Sequence, residues 1–147
     1  MNGLRLAVGF FAAFAASAAV AAPGSCLPVV EQGWIRAAPP TAQVYAAYAK
    51  LYEPCGKAVT VTGARSQLFG AVQMHETRVV AGVSTMRGKG RLALAPHGVL
   101  VFAPGGNHLM LMKPVHAMPV DGHVRIDFVL GDGRVVVGDF VVRNEAP

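Results

Sequence analysis

The stretch HVRIDFVLGDGRVVVGDFVV, residues 123–142, decides the fold class of this 147-residue chain. His123 to Leu130 and Arg134 to Val142 are short β-type segments, and Gly131-Asp132-Gly133 between them is a hairpin signal. Working outward, the same punctuation of short segments by Gly and Pro runs back to Leu27. It predicts further strands over Val29 to Arg36, Val44 to Tyr52, Ala58 to Ala64, Ala71 to Val79, Val83 to Arg87, Gly98 to Phe102 and His108 to Met112. Tyr52-Glu53-Pro54-Cys55-Gly56 reads as a turn between the second and third strands, and Ala103-Pro104-Gly105-Gly106-Asn107 as one that re-aims the chain before His108. The alanine-rich segment Ala42 to Lys50 also spirals passably, but Val44, Ala46, Tyr48 and Lys50 alternate with Tyr45, Ala47 and Ala49 equally well. No stretch of ten or more residues keeps a convincing 3.6-residue period. Nine short strands with closely spaced turns predict an all-β domain, a two-sheet sandwich of Greek-key type.

The N-terminus sets the compartment. In Met1 to Ala21, 16 of 21 residues are apolar, Arg5 supplies a positive charge, and Ala19-Val20-Ala21 has the small-x-small form of a cleavage site. Residues 1–21 are therefore expected to be a signal peptide and residues 22–147 the single mature domain. The apolar core of the leader is shorter than the roughly 20 residues of a membrane span, and no other segment is long enough to make one. Acylation at Cys26 is disfavoured because Pro23-Gly24-Ser25 lacks the leucine expected three residues earlier. With 13 Lys+Arg against 8 Asp+Glu the chain is modestly basic, its one cationic cluster being Arg87, Lys89 and Arg91. No aromatic residues interleave with these cations, which argues against a nucleic-acid partner. Cys26 and Cys55, the only cysteines, read as one structural disulfide in an exported chain. A redox role would want a C-x-x-C pair.

All five histidines (75, 97, 108, 116, 123) and every methionine but the first (74, 86, 110, 112, 118) fall between Met74 and His123. Thioether sulfur is soft and uncharged, and imidazole is the commonest nitrogen ligand, so a site built from both favours Cu(I) over Mg, Ca or Zn. His108 and Met110, two apart on a strand, point to one face. A two-residue turn at Ala81-Gly82 would set Met86 opposite Thr77, with His75 as its diagonal neighbour on that face.

The spacing His75, ten residues, Met86, twenty-one residues, His108, one residue, Met110 resembles, without a gap, the H-x10-M-x21-H-x-M signature of the periplasmic copper chaperone family of the PCu(A)C type. Trp34-Ile35-Arg36-Ala37-Ala38-Pro39-Pro40, Met74-His75-Glu76-Thr77 and Pro104 to Met112 are also similar to family segments, so the resemblance covers essentially the mature chain. It implies a cupredoxin-like Greek-key β-sandwich over residues 22–147 and Cu(I), with Cu(II) also open, held by His75, Met86, His108 and Met110. It further implies a periplasmic chaperone that delivers copper to the dinuclear centre of cytochrome c oxidase or to its assembly factors. A monomer is expected.

The other residues of the cluster read differently. Met74 should turn into the core, and Met112 should wall the site. Glu76 and Asn107 adjoin ligands and are candidates for orienting an imidazole, although alternation turns Glu76 away. His116 and Met118 repeat the local His-x-Met spacing and suggest an auxiliary copper site in a loop. His97 and His123 read as turn or surface residues. A cupredoxin-like electron carrier would need a Cys thiolate beside the cluster, and none is near. A copper storage or resistance protein is the remaining alternative. No H-E-x-x-H, G-x-S-x-G or close carboxylate pair suggests an enzyme.

Overall fold

The computed structural model describes residues 26–119, 122–145 and 147; the leader expected over 1–21 lies outside the described residues. Ten strands follow one another: β1 (Val29–Arg36), β2 (Val44–Tyr52), β3 (Val59–Arg65), β4 (Phe69–Val80), β5 (Val83–Gly88), β6 (Leu92–Leu94), β7 (Val99–Phe102), β8 (Asn107–Pro114), β9 (His123–Leu130) and β10 (Val135–Arg143). Among the described residues there is no helix. All nine expected strands form, β1, β2 and β9 with the expected bounds. The missed strand, β6, has three residues, too few for a period to register.

The expected sandwich takes the form of one continuous hydrogen-bonded path, β5-β4-β8-β2-β1-β10-β9-β3-β6, with β7 also paired to β2. The path curls until β3 packs against β4 and β6 against β7, so its two ends close over a common core. β1 makes the corner. Its pairing with β2 shifts between Glu31 and Trp34, Gln32 takes a positive φ of 52°, and beyond this bulge Trp34 to Arg36 run parallel to β10.

Alternation explains the core. Tyr45, Ala47, Ala49 and Leu51 of β2 are buried, so the alanine-rich segment is a central strand whose small side chains let neighbouring layers approach. They meet Leu109 and Leu111 of β8, Ile126 and Phe128 of β9, and Phe140 of β10, all fully buried. Phe128 lies between Phe102 and Phe140, at centroid distances of 5.5 and 6.3 Å. Cys26 and Cys55 form the expected disulfide, with 5.9 Å between their Cα atoms, tying the start of the described chain to the β2–β3 turn.

Candidate metal centre

Gln73, His75 and Thr77 of β4 lie on the face away from the core, because Met74 (4% exposed) between them is packed inward. Two pairings set what surrounds them. The β4–β5 hairpin turns through Ala81 and Gly82, both at positive φ (50° and 79°), the geometry of a two-residue turn that matches strand twist. It places Met86 opposite Thr77 and Gly88 opposite His75, so Met86 is one diagonal step from His75 on the outer face. On the other side, β8 sets His108 directly opposite His75, and Met110 opposite Gln73. His75, His108 and Met110 are thus direct or diagonal neighbours across β4 and β8, while Met86 approaches from the outermost strand.

The two imidazoles are 5.9 Å apart between centroids and inclined by 53°. The Nδ1 of His108 is 3.1 Å from the Gly106 carbonyl, which can only accept, so Nδ1 carries the proton and Nε2 keeps a lone pair. The same carbonyl accepts the Thr77 N–H at 3.0 Å, which fixes it between the two strands. His75 is arranged the other way round. Its Nε2 is 3.0 Å from Oε1 of Gln73, while its Nδ1 is buried and without any hydrogen-bond partner. An unpartnered buried nitrogen is costly unless something binds it. Burial, followed by the charge of His108, pushes the His75 pKa below its ordinary value and so favours the neutral, ligating form.

Exposure grades across the centre. His108 is 6% exposed, His75 and Met110 are half-buried, and Met86 is 53% exposed. Two imidazole lone pairs and two thioethers on one sheet face suit a soft monovalent ion. Among the described residues no three His, Cys, Asp or Glu side chains converge on a metal position, so no harder donor set competes.

The flanking residues sort as follows. Glu76 faces away and pairs with Arg78 (3.0 Å) and Lys89 (2.8 Å); hydrogen bonds from Lys89, then Arg78, hold its carboxyl below the usual range. Asn107 donates from Nδ2 to the Val101 carbonyl at 3.4 Å and does not orient an imidazole. That part is played by the Gly106 carbonyl and by Gln73, neither of which the sequence reading singled out. Gln73 was within reach of it, since a residue two before His75 on a strand shares its face. Met112 is half-buried opposite Val44 and Ala71, on the face of His108 and Met110. His116 and Met118 line different cavities: His116 sits with Gln67, Leu68 and His123, whereas Met118 sits with Ala37, Pro40, Tyr45 and Val142 and packs on the core.

The LpqE-like family model, described as "Putative lipoprotein LpqE-like", matches residues 29–142, which span the whole sandwich and this centre. The chain belongs to the LpqE-like family. This LpqE-like chain is 29% identical over 122 residues to "Putative lipoprotein Lxx21020" of Leifsonia xyli subsp. xyli, covering 79% of this chain and 72% of that one. Its fold is that of PCuAC domains. The copper-bound PCuAC domain from PmoF2 superposes with a TM-score of 0.62 at 24% identity, over 80% of this chain and 92% of that one. The Cu(I) form of DR1885 from Deinococcus radiodurans gives 0.64 at 25% identity over 83% of each chain. The apo form gives 0.64 at 24% over 99% and 97%. The resemblance drawn from the His and Met spacing, and the cupredoxin-like sandwich it implied, therefore hold for the LpqE-like chain.

One further residue of the LpqE-like chain escaped the sequence reading. Glu53, 1% exposed, accepts N–H bonds from Cys55 (2.9 Å), Lys57 (3.1 Å) and His97 (3.4 Å). Burial pushes its carboxyl up, but these donors and the N–H of Gly56, Cys55 first among them, outweigh it and hold the group below its ordinary value. Glu53 thus organises the turn that carries Cys55. A lone carboxylate before a proline gives no pattern by which to find it.

Proposed function

We propose that this protein is an exported copper chaperone that holds Cu(I) between Nδ1 of His75, Nε2 of His108 and the sulfurs of Met86 and Met110. The observation that carries the reading is the cross-strand pair of imidazoles: each has one nitrogen tied to a protein acceptor and none of the protein's hydrogen bonds on the other, and strand register puts both residues beside Met86 and Met110. Solved relatives whose names state bound copper and Cu(I) share the fold, which supports copper as the cargo. The family and the Leifsonia relative carry the name lipoprotein, which supports export; the exported domain is read here as residues 22–147. Cys26 is disulfide-bonded here, so acylation at its sulfur is not part of the reading.

The chemistry is binding and release. Thioethers and neutral imidazoles form an uncharged cage that holds a soft cation without the thiolate of a blue-copper carrier, and among the described residues no cysteine is free to supply one. Methionine also survives an oxidising compartment that would consume free thiols. Because Met86 is the outermost ligand, the ion leaves by exchanging that thioether first for a donor on the acceptor, with copper remaining Cu(I) throughout. The acceptor that fits the family resemblance is the copper centre of cytochrome c oxidase or one of its assembly factors.

The test is anaerobic competition for Cu(I) against a chromogenic chelator, followed by transfer to purified oxidase-subunit and assembly-factor domains. One equivalent should bind, lost in His75→Ala with His108→Ala, and Met86→Ala should alter transfer more than stoichiometry. Absence of cuprous uptake by the native protein would overturn the reading.

A further inference from the structure

We infer that the open edge of β5 is the docking site for the copper-exchanging partner, which adds to it as an extended, acidic strand. The inference rests on the Cu(I) reading above and names how its partner is recognised.

The two ends of the hydrogen-bonded path are treated differently. One end is β6, three residues long, too short to template another strand. The other is β5, six residues, all exposed, with no proline and no bulge, and among the described residues bonded on one side only, to β4. Natural proteins blunt such an edge unless it is used.

The hydrogen-bond phase of the hairpin shows which groups that edge offers. Lys89 N–H donates to the Met74 carbonyl at 2.8 Å, so every second pair in the register is bonded: Glu76 with Arg87, Arg78 with Thr85, Val80 with Val83. The backbone N–H and C=O of Ser84, Met86 and Gly88 therefore point outward. An incoming antiparallel strand would form its bonded pairs at those three residues. Its residue opposite Met86 would lie about 5.5 Å away between Cα atoms, with both side chains on the copper face. That is the separation at which a donor on the partner can share the ion with Met86 before displacing it.

Charge selects the occupant. Residues 83–91 hold Arg87, Lys89 and Arg91 and no acid. Glu76 offsets Lys89 and Arg78, whereas Arg87 has no ion-pair partner among the described residues. A second copy of this chain would bring the same cationic stretch against itself, so an acidic segment fits where self-pairing does not. Val79 (69% exposed) and Val83 (61% exposed) beside the turn offer apolar contact at the far end of the strand.

The test uses the full protein, with and without Cu(I), and a blocked heptapeptide alternating glutamate and valine around a central methionine, against its lysine-for-glutamate version. Saturating acidic peptide should slow amide hydrogen exchange at Ser84, Met86 and Gly88 by about tenfold or more, leaving Thr85 and Arg87 little changed. Ser84→Pro removes an outward N–H without breaking a bond to β4; it should keep Cu(I) affinity and lose the protection. Arg87→Glu should do the same with the edge intact. Unchanged exchange, equal protection by the lysine peptide, or sedimentation showing a dimer that Ser84→Pro abolishes would each overturn the inference. The Cu(I) competition titration, read separately, judges the copper reading itself.

Discussion

His75 and His108 face each other in register across β4 and β8, yet different ring nitrogens are tied to the protein: Nε2 of His75 and Nδ1 of His108. The asymmetry follows from what each ring is tied to. His108 is held by the backbone carbonyl of Gly106, His75 by a side chain on its own strand. Replacing a backbone acceptor by mutation is not possible; replacing Gln73 is.

Gln73→Ala should therefore weaken Cu(I) binding by about 10- to 100-fold, the usual cost of losing a group that orients a metal-bound imidazole. Because Gln73 is exposed on an outer face, thermal stability should hardly change. A chelator titration alongside a melting curve separates the two effects. Loss of the fold together with affinity would show that Gln73 is structural instead.

Acidification should act on both copper affinity and apo stability. The His75 pKa is lowered in the fold, first by burial and then by His108, so the unfolded chain takes up the proton more readily. The sign follows: stability is full above the ordinary imidazole value of about 6.5 and falls as pH drops through it toward the folded-state value. Cu(I) affinity should fall in the same direction, since only neutral imidazole ligates, but from a lower pH than an unperturbed histidine would give. Denaturant unfolding and Cu(I) competition between about pH 5 and 8 check both; affinity flat across that range would contradict the ligand assignment.

Opening the disulfide should cost stability and spare copper. Cys26 and Cys55 are 29 residues apart in sequence, and the cross-link is worth roughly 3–4 kcal/mol on the chain-entropy estimate. The bridge lies at the β2–β3 turn and contributes no donor to the β4–β5–β8 face. Cys26→Ser with Cys55→Ser should thus lower the urea midpoint while leaving Cu(I) stoichiometry at one.

His116→Ala with Met118→Ala should leave copper stoichiometry and transfer unchanged. The two side chains line separate cavities, Met118 against Ala37 and Tyr45 and His116 beside His123, so their spacing does not gather them round an ion. Loss of a second bound copper in this variant would reinstate an auxiliary site.

The strands were legible because each keeps a two-residue period between Gly and Pro signals, even in the alanine-rich β2, where burial of Tyr45, Ala47, Ala49 and Leu51 settles the ambiguity with a helix. β6 was not legible, since three residues contain no period. The diagonal placement of Met86 by His75 was legible because a two-residue turn at Ala81-Gly82 fixes the register of everything beyond it. The direct facing of His75 and His108 was not: it depends on the β4–β8 pairing, whose strands are separated by more than twenty residues of chain.

From its own letters the chain determined which residues are soft or nitrogenous donors, which of them share a strand face, and that the domain is all-β, for these follow from side-chain chemistry and local backbone period. The folded sandwich alone decided which ring nitrogen each histidine leaves free, that Gln73 and the Gly106 carbonyl set that choice, and that among the described residues β5 is left as an open edge. Those depend on hydrogen bonds between segments distant in sequence, and no local pattern encodes which partner a donor will meet once the sheet has closed.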